Sequence, residues 1–393
     1  MRRRATCPSC GGTELRPFHR VEAVPVNSVL SLESQEEALS FPRGDIRLAF
    51  CNGCGFIHNT DFEPDRLEYS ERYDPTQAFS PTFNRWHRHL AEAIAARHRL
   101  EGKTVLEIGC GKGEFLALLC EVAGCRGIGF DPAFVPARGP ERGAGRAEFI
   151  QDWYSEQYAG IEADLVCCKM TLEHVPRCAE LVSMVRRAIG DRRSTTVFFQ
   201  VPDALRILQE GAFWDVYYEH CNYFTAGSLA RLFRRCGFEV EAVQREFEAQ
   251  YVTIEARPGS GDSAPPLAAE ESVGELWARV ARFAERQPEI QGRWRRRMQV
   301  LAAAGRGAVL WGSGSKGVSF LTTLGLGDEV EAVVDINPHR QGKHMLGTGH
   351  PIVAPEALQA IRPGVVIVMN PIYRREIEGD LHRLGISSQV WTT

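Results

Sequence analysis

Short apolar runs, each closed by glycine or by an acid, alternate along this chain with stretches in which apolar positions return every three or four residues. TVLEI at 104–108, CRGIGF before Asp131, DLVCCKM at 164–170 and STTVFFQV at 194–201 are strand-like runs without the polar alternation of a half-exposed strand. Between them, 79–100 places Trp86, Leu90, Ile94 and Ala95 on one helical face, and EFLALL opens a second amphipathic helix directly after a cluster of glycines. Continuous apolar strands separated by helical periods predict an α/β domain whose parallel sheet is buried on both faces. Past Pro258 the segment GSGDSAPPLAAEE reads as a linker, and a long polar helix is expected over roughly 271–304. The earlier pattern then returns. AVLWGSGSKGVSFLTTLGLGDEVEAVVD follows TVLEIGCGKGEFLALLCEVAGCRGIGFD in order and length, which predicts an internal duplication.

At 393 residues the chain has room for two or three domains, and the pattern divides it at 1–72, 73–260 and 261–393. A net charge of −4 gives no basic footprint for nucleic acid. No apolar run approaches the roughly 20 residues of a membrane helix. The opening MRRRATCPSC has no apolar core behind its basic residues, so it does not read as a secretory signal, and a cytoplasmic protein with reduced thiols is expected. Of 46 basic residues only five are lysine, a bias without functional content. Arg293 and Arg295–Arg297 read as a solvated helix face.

Four of the twelve cysteines stand apart. Cys7-Pro-Ser-Cys10 and Cys51-Asn-Gly-Cys54 are paired CxxC knuckles, each followed by glycine. Two such turns complete a tetrahedron for structural Zn²⁺ with no position left for substrate. His19 and His58 are spare donors that the thiols make unnecessary.

The first glycine turn runs Glu107-x-Gly109-x-Gly111-x-Gly113, and Asp131 ends the next strand, twenty residues after Gly111. Glycines let backbone approach a nucleotide, while the acid can accept from a ribose diol. The position a dinucleotide fingerprint would fill with glycine is Glu114. This ExGxGxG form resembles motif I of class I S-adenosylmethionine methyltransferases, and Asp152 in FIQDWY falls where that fold places an acid for the adenine amino group. The second copy carries Gly312-x-Gly314-x-x-Gly317 and Asp335. In isolation that is a dinucleotide fingerprint, but a degenerate duplicate holding a nucleotide-containing substrate explains it equally.

Between the copies lies FWDVYYEHCNYF, with Tyr217, Glu219 and His220 ahead of a helix started by Thr225. An ionisable histidine beside a carboxylate and phenols is an acid–base cluster in outline. It follows the strand STTVFFQV, whose carboxyl end should open over the cofactor, and His174, just past DLVCCKM at a helix start, should reach the same rim. The paired CxxC knuckles, ExGxGxG, LEHV, YxEH followed by YF, the SKG turn, VVDINP and QGKHMLGTGHPI together resemble the three-domain sugar C-methyltransferases that act on 4-keto-deoxy sugar nucleotides. The resemblance implies a small N-terminal zinc-binding domain, a class I methyltransferase Rossmann-like domain for S-adenosylmethionine, and a second Rossmann-like domain for a nucleotide sugar. It also implies that Tyr217, Glu219, His220 and His174 surround the sugar, with Tyr73 as a further phenol. Two departures stand out: Tyr218-Glu219-His220 replaces HEH, and VMNPIYRREI lacks the usual Trp-Asn pair. The reaction implied is methylation beside a ketone through an enolate, with His220 as base. An O- or N-methyltransferase on the same scaffold is the alternative, and the oligomeric state is open.

Overall fold

The computed structural model describes residues 5–30, 32–67, 76–140, 144–259 and 265–393. Both expected boundaries, at 72/73 and 260/261, and Tyr73 itself lie outside these residues.

Three sheets organise the described residues. The first is antiparallel and small: Leu15–Pro25 pairs with Arg43–Cys51, which pairs with Ile57–Asn59. Its fourth strand comes from far along the chain, because Asn222–Tyr223 pairs with Ile57 and His58.

The second sheet has seven strands in the order Phe238–Glu246, Tyr251–Pro258, Thr196–Pro202, Leu165–Lys169, Thr104–Ile108, Arg126–Phe130, Ala147–Ile150. All neighbours are parallel except Tyr251–Pro258, which runs against both of its partners. Strand order reverses at Thr104–Ile108, the first strand of the unit, and at such a switch point a crevice opens beyond the strands' carboxyl ends. Helices Pro81–His98 and Glu114–Ala123 cover one face. Cys178–Ile189 and Ala226–Arg235 cover the other. The expected helix around LEHV begins later than the sequence suggests. Leu172–His174 forms one 3₁₀ turn, and the α-helix starts at Cys178, since Pro176 disfavours helical geometry at the residue before it.

The third sheet, Ile352–Val353, Ala332–Val334, Ala308–Trp311, Val365–Val368 and Gln389–Thr392, is wholly parallel. Val365, Val366, Ile367 and Val368 are all fully buried, as helices on both faces of a parallel sheet require. Its sequence-order pattern equals that of the five parallel strands in the second sheet.

The helix Val273–Ala303 ties these bodies together. Ser272 and Glu275 form a capping box at its start, and Leu276, Val280, Phe283, Ile290, Trp294, Met298 and Leu301 make its buried stripe. That stripe belongs to one continuous core containing Ile46 and Phe50 of the first sheet, Trp214 and Tyr218, and Leu310 and Ile367 of the third. Arg295, from the expected solvated cluster, donates to the Thr323 and Leu324 carbonyls at the end of a neighbouring helix, so part of that face is structural.

Candidate functional site

The carboxyl ends of the second and third sheets face one another across a cavity of about 880 Å³. Gly109, Asp131 and Met170 follow strands of one sheet into it, and Gly312, Asp335 and Met369 follow strands of the other.

On the first side, Gly109, Gly111 and Gly113 all adopt positive φ, at +70°, +55° and +79°. At Gly109 a Cβ would lie 2.1 Å from Thr171 Oγ1, whereas at Gly111 it would meet nothing within 4 Å. The first glycine therefore serves packing, and the second leaves room at the cavity wall. Gly113 is buried against Phe149 and does not line the cavity. The Asp131 carboxylate accepts from the backbone N–H of Gly111 at 2.9 Å and of Ala133 at 2.8 Å. Burial raises its pKa while these two donors oppose the rise. Asp152 lines the same cavity and accepts from the Tyr158 hydroxyl at 2.6 Å, which lowers its pKa. Beside it the Trp153 side chain, 60% exposed, lies at the rim.

Glu107 lies beneath the turn, fully buried, with Oε2 lacking a hydrogen-bond partner among the described residues. Burial pushes its pKa up to about 7. Lys169 Nζ contacts His87 Nε2 at 2.9 Å and sits over the Phe115 ring at 3.6 Å. Burial brings this lysine down to about 8, and burial plus its charge hold His87 at about 2, so the imidazole accepts from the ammonium.

Tyr217, Glu219 and His220 enter between the two sheets on the segment joining the 3₁₀ turn Phe213–Asp215 to the short strand Asn222–Tyr223. The ring of His220 packs on Tyr217 with centroids 4.2 Å apart and meets His174 edge-on at 4.8 Å. Burial lowers His174 to about 4 and, with the His174 and Lys316 charges, carries His220 well below the usual imidazole range. Both rings are therefore neutral near pH 7 and able to accept a proton. Burial holds the Tyr217 phenol protonated, far above its ordinary range.

Glu219 is clasped from the front of the chain. Asn27 Nδ2 donates to one carboxylate oxygen at 3.0 Å and the Ser28 hydroxyl to the other, while Ser28 also meets Ser315 Oγ at 2.8 Å. Burial still raises this acid to about 7. Tyr218, which stands where the resembled family has histidine, turns away from the cavity. Its hydroxyl accepts from the Glu63 N–H at 2.9 Å, and its ring leaves no space for a Cβ at Gly44. That departure thus falls outside the site, whereas Asn370 of the second departure lines it.

Sequence reasoning missed several participants. Lys316 Nζ crosses from the third sheet's glycine turn to Asp215 and Gln250, both at 3.0 Å. Asp215 is also paired with Arg206, and these two cations outweigh burial to keep its pKa low. Ser313, Asn337 and Arg340 gather round Asp335, which accepts from the Ser313 and Asn337 N–H groups at 2.9 and 2.8 Å, as Asp131 does from Gly111 and Ala133. The SKG turn and VVDINP were the signals that could have pointed there.

Away from the cavity, the four knuckle thiols lie within 4.8 Å of one another, with Cys7–Cys54 and Cys10–Cys51 sulfurs both 3.6 Å apart. A tetrahedron with Zn–S bonds of about 2.3 Å has S···S edges of about 3.8 Å, so the donor set fits that ion. No helix among the described residues is long and apolar enough to cross a membrane.

Comparison with known proteins bears on this geometry. Residues 82–243 match a family described as a methyltransferase domain, and residues 260–387 match one described as a C-methyltransferase C-terminal domain. Together with the seven-stranded sheet and the glycine turn, they define the chain as an S-adenosylmethionine-dependent methyltransferase with a class I, Rossmann-like α/β fold. Its terminal residues are similar to the C-terminal domain of C-methyltransferases. It is similar to the C-methyltransferase NovU of Streptomyces niveus, 29% identical over 331 residues that cover 80% of this chain and 77% of that protein. The ubiquinone biosynthesis O-methyltransferase of Thiobacillus denitrificans is 27% identical over 191 residues, 44% of this chain and 77% of that one. A solved 1,6-didemethyltoxoflavin N1-methyltransferase from Burkholderia thailandensis aligns over 44% of this chain and 78% of its own, at 19% identity and a TM-score of 0.33.

Proposed function

We propose that the protein is a C-methyltransferase acting on the carbon beside a ketone of a nucleotide-linked deoxy sugar. The observation that carries this reading is the single cavity joining the two glycine turns, with Tyr217, Glu219 and His220 between them. A donor on one sheet and a nucleotide-bearing acceptor on the other would meet at that segment. S-Adenosylmethionine supplies an electrophilic methyl group on its sulfonium. Gly111 would give the cofactor close backbone approach, with Gly109 packed on Thr171 behind it; Asp131 would accept from its ribose hydroxyls, and Asp152 would meet the adenine. The third sheet, whose strand order supports a duplication, holds the nucleotide of the substrate with the groups around Asp335.

His220 takes the α-proton of the acceptor on a neutral ring nitrogen. The C–H electron pair becomes an enolate, whose carbon would form a bond to the methyl group as the methyl–sulfur bond breaks, leaving the neutral thioether of S-adenosylhomocysteine. The Tyr217 hydroxyl, kept protonated by burial, donates to the developing enolate oxygen, and such a donor is worth about 3–4 kcal/mol of barrier. Glu219 grips a sugar hydroxyl or steadies the imidazole, and Tyr73, expected to add another phenol, belongs to the same proposal. The four thiols hold one structural Zn²⁺, supported by their spacing. An O-methyl transfer would use the same base on a hydroxyl. The test is incubation with S-adenosylmethionine and a 4-keto-deoxy sugar nucleotide, followed by locating the methyl group by NMR. A new carbon–methyl bond beside the ketone supports the reading, and a methyl ether on a substrate lacking any ketone overturns it.

A further inference from the structure

Glu173 has no part in the mechanism above, yet it is the most conspicuous charge-bearing side chain in the cavity wall. It is 1% exposed, and neither carboxylate oxygen has a hydrogen-bond partner among the described residues. A buried, unpartnered carboxyl costs several kcal/mol if ionised, so a fold keeps one only where something else compensates. Its oxygen lies within 4.8 Å of ring nitrogens of both His174 and His220, and His174 Nδ1 also lacks a partner. The 3₁₀ turn Leu172–His174 holds the acid in place, with Asn222 Nδ2 accepted by the Leu172 carbonyl and Cys221 Sγ lying 3.3 Å from the Glu173 carbonyl.

We infer that Glu173 is a positioning residue for the proposed base: its carboxylate is the counter-ion for the imidazolium that forms on His220. The proposal rests on the C-methylation reading for its reaction, but not for the pairing itself. As the substrate C–H electron pair passes into the enolate, its proton joins one nitrogen of His220, and the other N–H turns to the Glu173 oxygen. The imidazolium then has a fixed anion against its second nitrogen in addition to the enolate it has just formed. Without the carboxylate, the imidazolium has only the enolate as its anion, in a buried site where desolvation and the Lys316 ammonium both oppose it.

The groups facing this trio are Tyr217, Glu219 and Cys221 on the joining segment, Tyr223 on the short strand after it, Cys168 on the adjacent strand, Tyr251 on the reversed strand and Lys316 across the cavity. Burial raises Glu173 to about 8 and Glu219 to about 7, and it lowers the histidines. Activity limited by an ionised Glu173 therefore rises with pH through a limb near 8, which neither imidazole can supply.

The test compares wild type with Glu173→Gln, which keeps size and burial but cannot ionise, and with Glu219→Gln, which marks the limb belonging to the other acid. The expected result for Glu173→Gln is a fall in kcat of at least about a hundredfold, the scale of general acid–base effects. KM and S-adenosylhomocysteine affinity stay within twofold, and the limb near pH 8 disappears. Histidine ¹⁵N spectra, assigned with His220→Asn, should respond to pH between 7 and 9 in wild type and not in Glu173→Gln. That readout needs no substrate, so it survives a wrong reaction assignment. An unchanged limb together with an unchanged His220 response in Glu173→Gln would overturn the proposal and leave C-methylation standing. A His220 response that tracks Glu173 in an enzyme that methylates only oxygen would keep the pairing and discard the carbon chemistry.

Discussion

Two neighbouring glycines should fail in opposite ways when given a methyl group. Gly109→Ala places a residue with Cβ at φ +70°, a left-handed cost of about 1–2 kcal/mol. Its Cβ also falls 2.1 Å from Thr171 Oγ1 and 2.6 Å from Cγ2. Thr171 cannot readily turn away, because its hydroxyl already donates to the Lys169 carbonyl at 3.0 Å. Overpacking of this kind adds about 1–3 kcal/mol. Gly111→Ala carries the left-handed cost alone, since no atom lies within 4 Å of the new carbon. The two variants should therefore differ in stability by about the overpacking term, or roughly 1–4 °C in melting temperature if all 393 residues unfold together and more if the unit around this sheet unfolds by itself. Cofactor affinity should reverse the order of blame. The alanine methyl at 111 stands at the cavity wall where the cofactor would approach, so S-adenosylhomocysteine binding should weaken more than tenfold in a variant that loses only the left-handed cost in stability. Thermal unfolding and calorimetric titration on both variants measure this. A Gly111→Ala protein that binds normally, or a Gly109→Ala protein with an unshifted melting temperature, would refute the assignment of packing to one glycine and cofactor clearance to the other.

Asp131→Ala should weaken cofactor binding by about one to two orders of magnitude, the scale of a charge-assisted hydrogen bond or two, as read by titration with the fold intact by circular dichroism. Elemental analysis should find one zinc per chain, and Cys51→Ser should lower both metal content and melting temperature; metal-free protein of full stability would dismiss the structural zinc. With S-adenosylhomocysteine bound, wild type should exchange one substrate α-proton with solvent deuterium, and His220→Ala should not. Glu173 also carries a stability signature. Its folded pKa of about 8 lies above the ordinary glutamate value, so the folded state binds the extra proton, and stability falls as pH rises from about 4.5 through 8. Glu173→Gln should then match wild type in denaturant near pH 4.5 and exceed it near pH 9, and parallel curves across that range would contradict the buried, unpartnered acid.

The features legible in the sequence are those whose physics is local. A glycine turn after an apolar strand, followed by an acid at the end of the next strand, needs only neighbouring residues to be recognised, and Gly109, Gly111 and Asp131 meet in the structure as that pattern requires. The capping residue Thr225 is equally local. What escaped reading depends on chain segments far apart. Asn27 and Ser28 hold Glu219 across some 190 positions, and no periodicity near residue 27 announces it. The SKG turn was visible, but the reach of Lys316 to Asp215 follows from how the third sheet docks on the second. In LEHV the histidine drew attention. Whether its neighbouring glutamate is solvated or sealed is a property of packing, which the string of letters does not carry.

The two-residue strand Asn222–Tyr223 has a consequence for how this enzyme can be divided. It hydrogen-bonds to Ile57 and His58, three residues beyond the second cysteine knuckle, and it follows His220 by a single residue. Asn59 N–H donates to the Cys221 carbonyl at 2.8 Å, and Arg231 reaches back to the Cys54 carbonyl at 2.8 Å. The thiol cluster and the imidazole therefore share one mechanical frame. Trimming the front sheet to obtain a minimal catalytic core would remove the scaffold that aims His220, although every residue of the cofactor's own sheet would survive. Oxidation of the four thiols should register as lost turnover while the seven-stranded sheet still binds its cofactor.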